Sequence, residues 1–197
     1  MYFFRIIWNP NTNCAYTKKT IYSNPILRCP KCKQLIKDHK IYDFSVMLSK
    51  EAPLSDLVTT LYSIPIISKK AYEIFKKENI TGFKAHKIQV CNSKGKAIDV
   101  LYYALEYTGR ISINYNEMGL MSTKCDECGM DYIENKSFIY EKLCLDDSTW
   151  DSSDMCVGGY CTSKVIDIVK ENNLTGFMFK PAEDAWNSLK RSEILIK

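Results

Sequence analysis

Histidine is nearly missing from this chain: His39 and His86 are the only two in 197 residues. That leaves little for histidine-based acid–base or nucleophilic catalysis. His86 falls in a predicted strand and reads as solvent-facing. His39 lies seven residues after Cys32 and reads as part of a surface loop. No Walker loop, G-x-S-x-G or H-E-x-x-H occurs, and no catalytic constellation is complete, so an enzyme is not expected. No apolar run approaches a membrane span. The opening MYFFRIIWNPN lacks the charged start, longer apolar run and small-residue cleavage site of a signal peptide. A cytoplasmic location without a membrane partner is therefore expected. Charge of one sign is also weak. The formal net charge is +4, and the basic clusters are pairs such as Lys18-Lys19, Lys69-Lys70 and Lys76-Lys77. Nucleic-acid binders concentrate charge in a stripe or tail, so nucleic acid is not the expected partner. There is no long linker and no low-complexity tract.

Cysteine, by contrast, is plentiful, with nine residues. Four form two C-x2-C pairs, Cys29-Pro-Lys-Cys32 and Cys125-Asp-Glu-Cys128-Gly129. Two residues between thiolates let one tight turn aim both sulfurs at one metal ion, and two such turns complete the four-sulfur tetrahedron that structural zinc favours. Cys29, Cys32, Cys125 and Cys128 are therefore the expected metal ligands and Zn²⁺ the expected cofactor. Four thiolates leave no position open for water or substrate, so the role is structural. A cross-link closing a loop of this length is worth at most about 4–5 kcal/mol. A thioredoxin-like redox pair would need a reactive thiolate at a helix N-terminus in a βαβ setting, which neither site shows. Simple packing of the thiols is the remaining alternative. Cys14, Cys91, Cys144, Cys156 and Cys161 read as small buried hydrophobes.

The spacing of the pairs, 96 residues, nearly recurs elsewhere. SKKAYEIFKKENITGF (68–83) and TSKVIDIVKENNLTGF (162–177) align at an offset of 94 with seven of 16 positions identical, where composition alone gives about one. Tyr2-Phe3-Phe4 and Leu101-Tyr102-Tyr103 are offset by 99. We read an internal duplication with halves 1–99 and 100–197, together forming one domain. The fold class is α+β: each half has strands, a C-x2-C knuckle, a helix and a strand, and a shared structural zinc joins the halves. Expected strands are Tyr2–Trp8, Phe83–Ile88, Phe177–Lys180 and an antiparallel pair, Val100–Glu106 with Ile111–Tyr115. Ile41–Leu48 is a short strand or loop. Expected helices begin at Ser68 and Thr162, where apolar residues recur at i, i+3 and i+4. A short helix is expected at Ser55–Tyr62, and another helix in the C-terminal segment 183–197. Gly82 and Gly176 mark turns that need an unusual backbone conformation.

Several of these segments carry a resemblance. They are Tyr2-Phe3-Phe4-Arg5, Leu27-Arg28-Cys29-Pro30-Lys31-Cys32, Ser68 through Phe83, Leu105-Glu106-Tyr107-Thr108-Gly109-Arg110, Cys125-Asp126-Glu127-Cys128-Gly129, Trp150-Asp151-Ser152-Ser153-Asp154 and Leu174-Thr175-Gly176-Phe177. In this order they resemble the double-CXXCG motif proteins, a bacterial group that includes Sit-type immunity proteins of polymorphic toxin systems. The chain departs from that pattern at Lys33 and Ser152, where glycine is expected, and at Cys156, where an aromatic is common. The resemblance implies a protein that binds and neutralises a cognate protein toxin by occlusion. Trp150, Asp151 and Asp154 form the candidate partner patch, alternatively a structural tryptophan whose neighbouring acids cap a turn. A zinc-ribbon-like nucleic-acid binder is the competing reading. Lys31, Lys33, Lys37 and Lys40 favour it near the first pair, and Asp126, Glu127, Asp131 and Glu134 oppose it near the second.

Overall fold

A computed structural model describes residues 3–8, 17–24, 27–33, 36, 39–49, 54–60, 64–118, 121–133 and 143–182. Along these run β1 (Phe4–Trp8), β2 (Thr17–Tyr22), β3 (Phe44–Leu48), β4 (Leu57–Thr59), β5 (Pro65–Ser68), α1 (Lys69–Lys77), β6 (Phe83–Cys91) and β7 (Tyr102–Tyr107). They continue with β8 (Ser112–Ile113), β9 (Ser122–Lys124), β10 (Asp131–Ile133), β11 (Leu145–Asp146), β12 (Met155–Cys156), β13 (Tyr160–Cys161), α2 (Ser163–Glu171) and β14 (Phe177–Pro181). The architecture is α+β and mostly strand. Among the described residues no helix is long and apolar enough to cross a membrane. The expected C-terminal helix, with Trp186, Leu189 and Leu195, and the position of Cys14 lie outside the described residues.

Six strands form one sheet in the order β2-β3-β6-β7-β5-β4, antiparallel except for β3 beside β6. Four form a second, β12-β13-β1-β14, and two separate two-stranded pairs are β10-β9 and β11-β8. In β5 all four residues are buried, Ile66 in one core cluster and Ile67 in another. Alternate side chains enter cores on opposite faces of the sheet, so the strand reads as a continuous apolar run.

The cluster containing Ile67 holds both helices. Ala71 and Phe75 of α1 meet Val165, Ile168 and Val169 of α2. The Phe75 ring lies edge-on to both Phe83 and Phe177, with centroids 6.1 Å apart in each case. A nine-residue helix is marginal by itself, so α1 depends on this cluster, to which α2 and Phe177 contribute from far along the chain. Both helices stop the same way. Asn79 and Asn173, just past the last turns, take left-handed φ angles of 51° and 50°, a conformation that asparagine tolerates better than most side chains.

Two stretches differ from expectation. Ser55–Tyr62 is not a helix within its described part. Leu57–Thr59 is the edge strand β4, paired antiparallel with β5. The side chains of Leu57 and Val58 are buried in different cores, so the apolar pattern reflects burial on two faces and not one helical stripe. Ile111–Tyr115 does not pair with Val100–Glu106. The strand there, β7, is enclosed by β6 and β5, and Ser112–Ile113 pairs with Leu145–Asp146 instead. A central strand has no free edge for a hairpin partner. Ile41–Leu48 resolves into a 3₁₀ turn at His39–Tyr42 followed by β3.

One contact set occurs twice. Asp56 Oδ2 accepts from the N–H and hydroxyl of Thr175 at 2.9 and 3.1 Å. Asp154 Oδ2 accepts from the N–H and hydroxyl of Thr81 at 3.0 and 3.1 Å. Backbone bonds run alongside, from Leu57 N–H to the Thr175 carbonyl and from Met155 N–H to the Thr81 carbonyl, both 3.0 Å. Gly82 and Gly176 share φ = 83°, and a Cβ there would strike the Met155 and Leu57 carbonyl oxygens respectively. Glycine is required at both positions by conformation and by close approach.

Candidate metal centre

Each C-x2-C segment is a tight turn. In the first, Lys33 N–H bonds the Cys29 carbonyl at 3.0 Å, and Ile36 N–H bonds the Leu27 carbonyl at 2.9 Å. In the second, Gly129 N–H bonds the Cys125 carbonyl at 2.7 Å, and Cys125 N–H bonds the Met130 carbonyl at 2.9 Å. The antiparallel pair β9–β10 flanks this second turn. Closing either loop requires a left-handed residue after the second cysteine. Gly129 supplies φ = 71°, and Lys33 takes φ = 61° without glycine's freedom.

The turns meet. Cys29 Sγ lies 3.7 Å from Cys125 Sγ, and Cys32 Sγ lies 3.5 Å from Cys128 Sγ. All four sulfurs fall within 4.8 Å of one another, and no disulfide links them. Zn–S bonds of about 2.3 Å in a tetrahedron place sulfurs about 3.8 Å apart, so the cage has the dimensions and donor chemistry for a tetrahedral thiophilic ion. Cys29 and Cys125 are buried, while Cys32 and Cys128 are half-buried. Lys31 Nζ bridges the turns to Asp126 at 2.8 Å, and that hydrogen bond holds the Asp126 carboxyl below the usual range.

The protonation pattern suits a cation. Hydrogen bonding from the Cys32 backbone lowers the Cys29 thiol to about 7. The Met130 backbone pulls Cys128 down, but burial and the three other sulfurs outweigh it and push the thiol up to about 12. Gathered thiols resist collecting negative charge, and a divalent ion at their centre removes that penalty.

The other sequence candidates are placed differently. Trp150 is half-buried, edge-on to Phe3 at 5.5 Å, with its indole N–H on the Ser153 carbonyl at 2.9 Å. Asp151 accepts from the backbone N–H groups of Arg110 at 3.0 Å and Ser153 at 3.1 Å. Its carboxyl is held low first by the hydrogen bond to the Ser153 side chain. Asp154 also takes Lys164 Nζ at 3.1 Å. The loop's carboxylates thus serve internal contacts, while Trp150 borders a groove of about 430 Å³ shared with Phe4, Ser152 and Thr162. His86 is half-buried, stacked on Tyr42 at 4.6 Å, with Nε2 2.7 Å from Glu106. It therefore lies less open than a solvent-facing strand position. Cys91, Cys156 and Cys161 are buried and Cys144 is half-buried.

The sequence reading passed over Asp56, and gave Asp154 no structural partner. A signal was available in Ser55-Asp56-Leu57 and Ser153-Asp154-Met155, which repeat at an offset of 98, within the 94–99 range of the other repeated segments. The centre that emerges is a four-thiol cage built from two distant turns; no model of a known protein family matches the chain, and no curated protein matches it.

Proposed function

We propose that this chain is a non-enzymatic immunity protein. It neutralises a cognate protein toxin by covering it, and a structural zinc ion held by Cys29, Cys32, Cys125 and Cys128 braces the covering surface. The observation that carries this reading is the meeting of the two C-x2-C turns in one cage of four thiols. Bound there, zinc would tie together residues 96 positions apart and stiffen the scaffold around them. The duplication is supported by the doubled Asp–Thr contacts, in which residues at matching offsets reach reciprocally into the other half. The family resemblance gains support from two of its three departures: Lys33 and Ser152, standing where glycine is expected, both take left-handed angles, 61° and 68°. The nucleic-acid alternative loses one of its lysines, since Lys31 is engaged by Asp126.

The test has two parts. Native mass spectrometry should find one zinc per chain, lost in Cys29→Ser and in Cys125→Ser alike. Zinc lost in only one variant, or no metal, removes the shared cage. Co-expression with a toxin-like protein encoded beside the gene should restore growth of sensitive cells and yield a stable complex. Growth inhibition that persists removes the immunity function and leaves the metal centre standing.

A further inference from the structure

The mild net charge conceals a division. Residues 1–99 carry 17 lysines and arginines against seven acids, and residues 100–197 carry 10 against 16. Four of the first half's cations, Lys18, Lys19, Lys84 and Lys87, stand on strands of the six-stranded sheet. One face of this sheet is core along β7, β5 and β4, where Tyr103, Ile67 and Leu57 lie beneath α1. The same face continues across β6, β3 and β2 in the register rows Ile21–Ser45–Gln89 and Lys19–Met47–Cys91, with Lys87 beside Tyr103.

This part of the face is open. Lys19, Ile21, Lys87 and Gln89 are exposed, Ser45 and Met47 are half-buried and Cys91 is buried, with Ile21 at 47% and neighbouring Val100 at 40%. A groove of about 650 Å³ borders it along Ile21, Ser45, Lys87 and Gln89. No acid stands in these rows. Two acids line the groove, Asp43, which accepts hydrogen bonds from Ser23 and Asn24, and the exposed Asp99. Lys18, Lys94 and Lys96 add exposed charge on the β2 edge and in the turn that follows β6.

We infer that this open half of the sheet face is a docking surface for the acidic face of a protein partner. The inference rests on the reading of the chain as a partner-binding protein and names where, and with what chemistry, it binds. Apolar Ile21 and Met47 standing among the ammonium groups of Lys19 and Lys87 match an interface that combines apolar contact with charge. Nucleic acid fits less well, because stacking on bases needs open aromatic rings. Here the Tyr103 ring lies against Tyr72 at 4.3 Å, and Tyr72 is covered in turn by Lys76. Strand addition at β2 is also disfavoured, since its edge carries a register shift between Thr17 and Lys19 and two lysines, the usual protections of an edge strand.

The probes are poly-L-glutamate and a 20-nucleotide single-stranded DNA, titrated into the full-length protein and followed by amide NMR shifts. Polyglutamate should move the amides of Lys19, Ile21, Ser45 and Gln89 and lose affinity as salt rises. The double variant Lys19→Glu/Lys87→Glu should bind it at least tenfold more weakly, and Lys170→Glu on α2 should change it less than twofold. Equal losses in both variants, or shifts mapping elsewhere, overturn the assignment. DNA binding tenfold tighter than polyglutamate on the same face overturns it in favour of nucleic acid. In the toxin assay the double variant should lose protection at an unchanged melting temperature. Full protection by it overturns the docking face while leaving the immunity reading intact, and failure of the wild type overturns that reading without touching the polyglutamate result.

Discussion

At the scale of single residues, the backbone angles at Lys33 and Ser152 are the most direct test of how the turns are held. A side chain in the left-handed region costs about 1 kcal/mol, of which glycine recovers part after its own entropic cost in the unfolded chain. Lys33→Gly should therefore stabilise by roughly 0.5 kcal/mol in urea denaturation, with metal content unchanged. Asp151 gives a pH test. Its carboxyl is held below the ordinary value, so its stabilisation is fully present above the unfolded value near 3.9 and is lost as pH falls through the lower folded value. Asp151→Asn should melt earlier than the wild type at pH 7, and the difference should shrink to nothing in strongly acidic buffer.

At the scale of elements, the helices look alike in sequence but start differently. The Ser68 hydroxyl accepts from Ala71 N–H at 3.1 Å and bonds Asp56 at 2.6 Å. Thr162 makes no cap bond and only a 3.4 Å contact to Asp154. Ser68→Ala should cost about 1–2 kcal/mol and Thr162→Ala less than about 0.5 kcal/mol, measured as paired unfolding free energies. Helix positions were legible in the sequence because the i, i+3, i+4 stripe is a local signal, as were the turn glycines. The gathering of the four thiols was legible too, since the C-x2-C spacing aims both sulfurs of a turn the same way. What escaped was set by pairing. β4 looked helical because Leu57 and Val58 feed two cores, and β8 found β11 because β7 had no free edge. The open sheet face stayed hidden because Lys19, Met47 and Gln89 are distant in sequence and share a face only through register.

At the scale of the whole molecule, removing metal tests how the parts depend on one another. For a protein loaded with zinc, a strong chelator should lower the melting temperature without abolishing the transition, since the clusters around Phe75 and Val46 do not include the cage. Acid should act in the same direction, because thiolate ligands must lose their protons to bind metal. Chelation should also expose Cys32 and Cys128 to alkylation, while Cys156, whose thiol burial raises to about 11, stays unlabelled in the native state. A melting temperature indifferent to chelator would remove the bracing role.

The reciprocal Asp–Thr contacts also bear on how the protein is made. Asp56 leaves the ribosome 119 residues before Thr175. At about 5–20 residues per second this is a wait of roughly 6–24 s. During that time Phe75 has no Phe177 to pack against, and Cys29 and Cys32 have no opposite thiols until Cys125 and Cys128 are made. Each new copy thus spends its synthesis with a half-built core, and both latches close only when the final third of the chain has been translated.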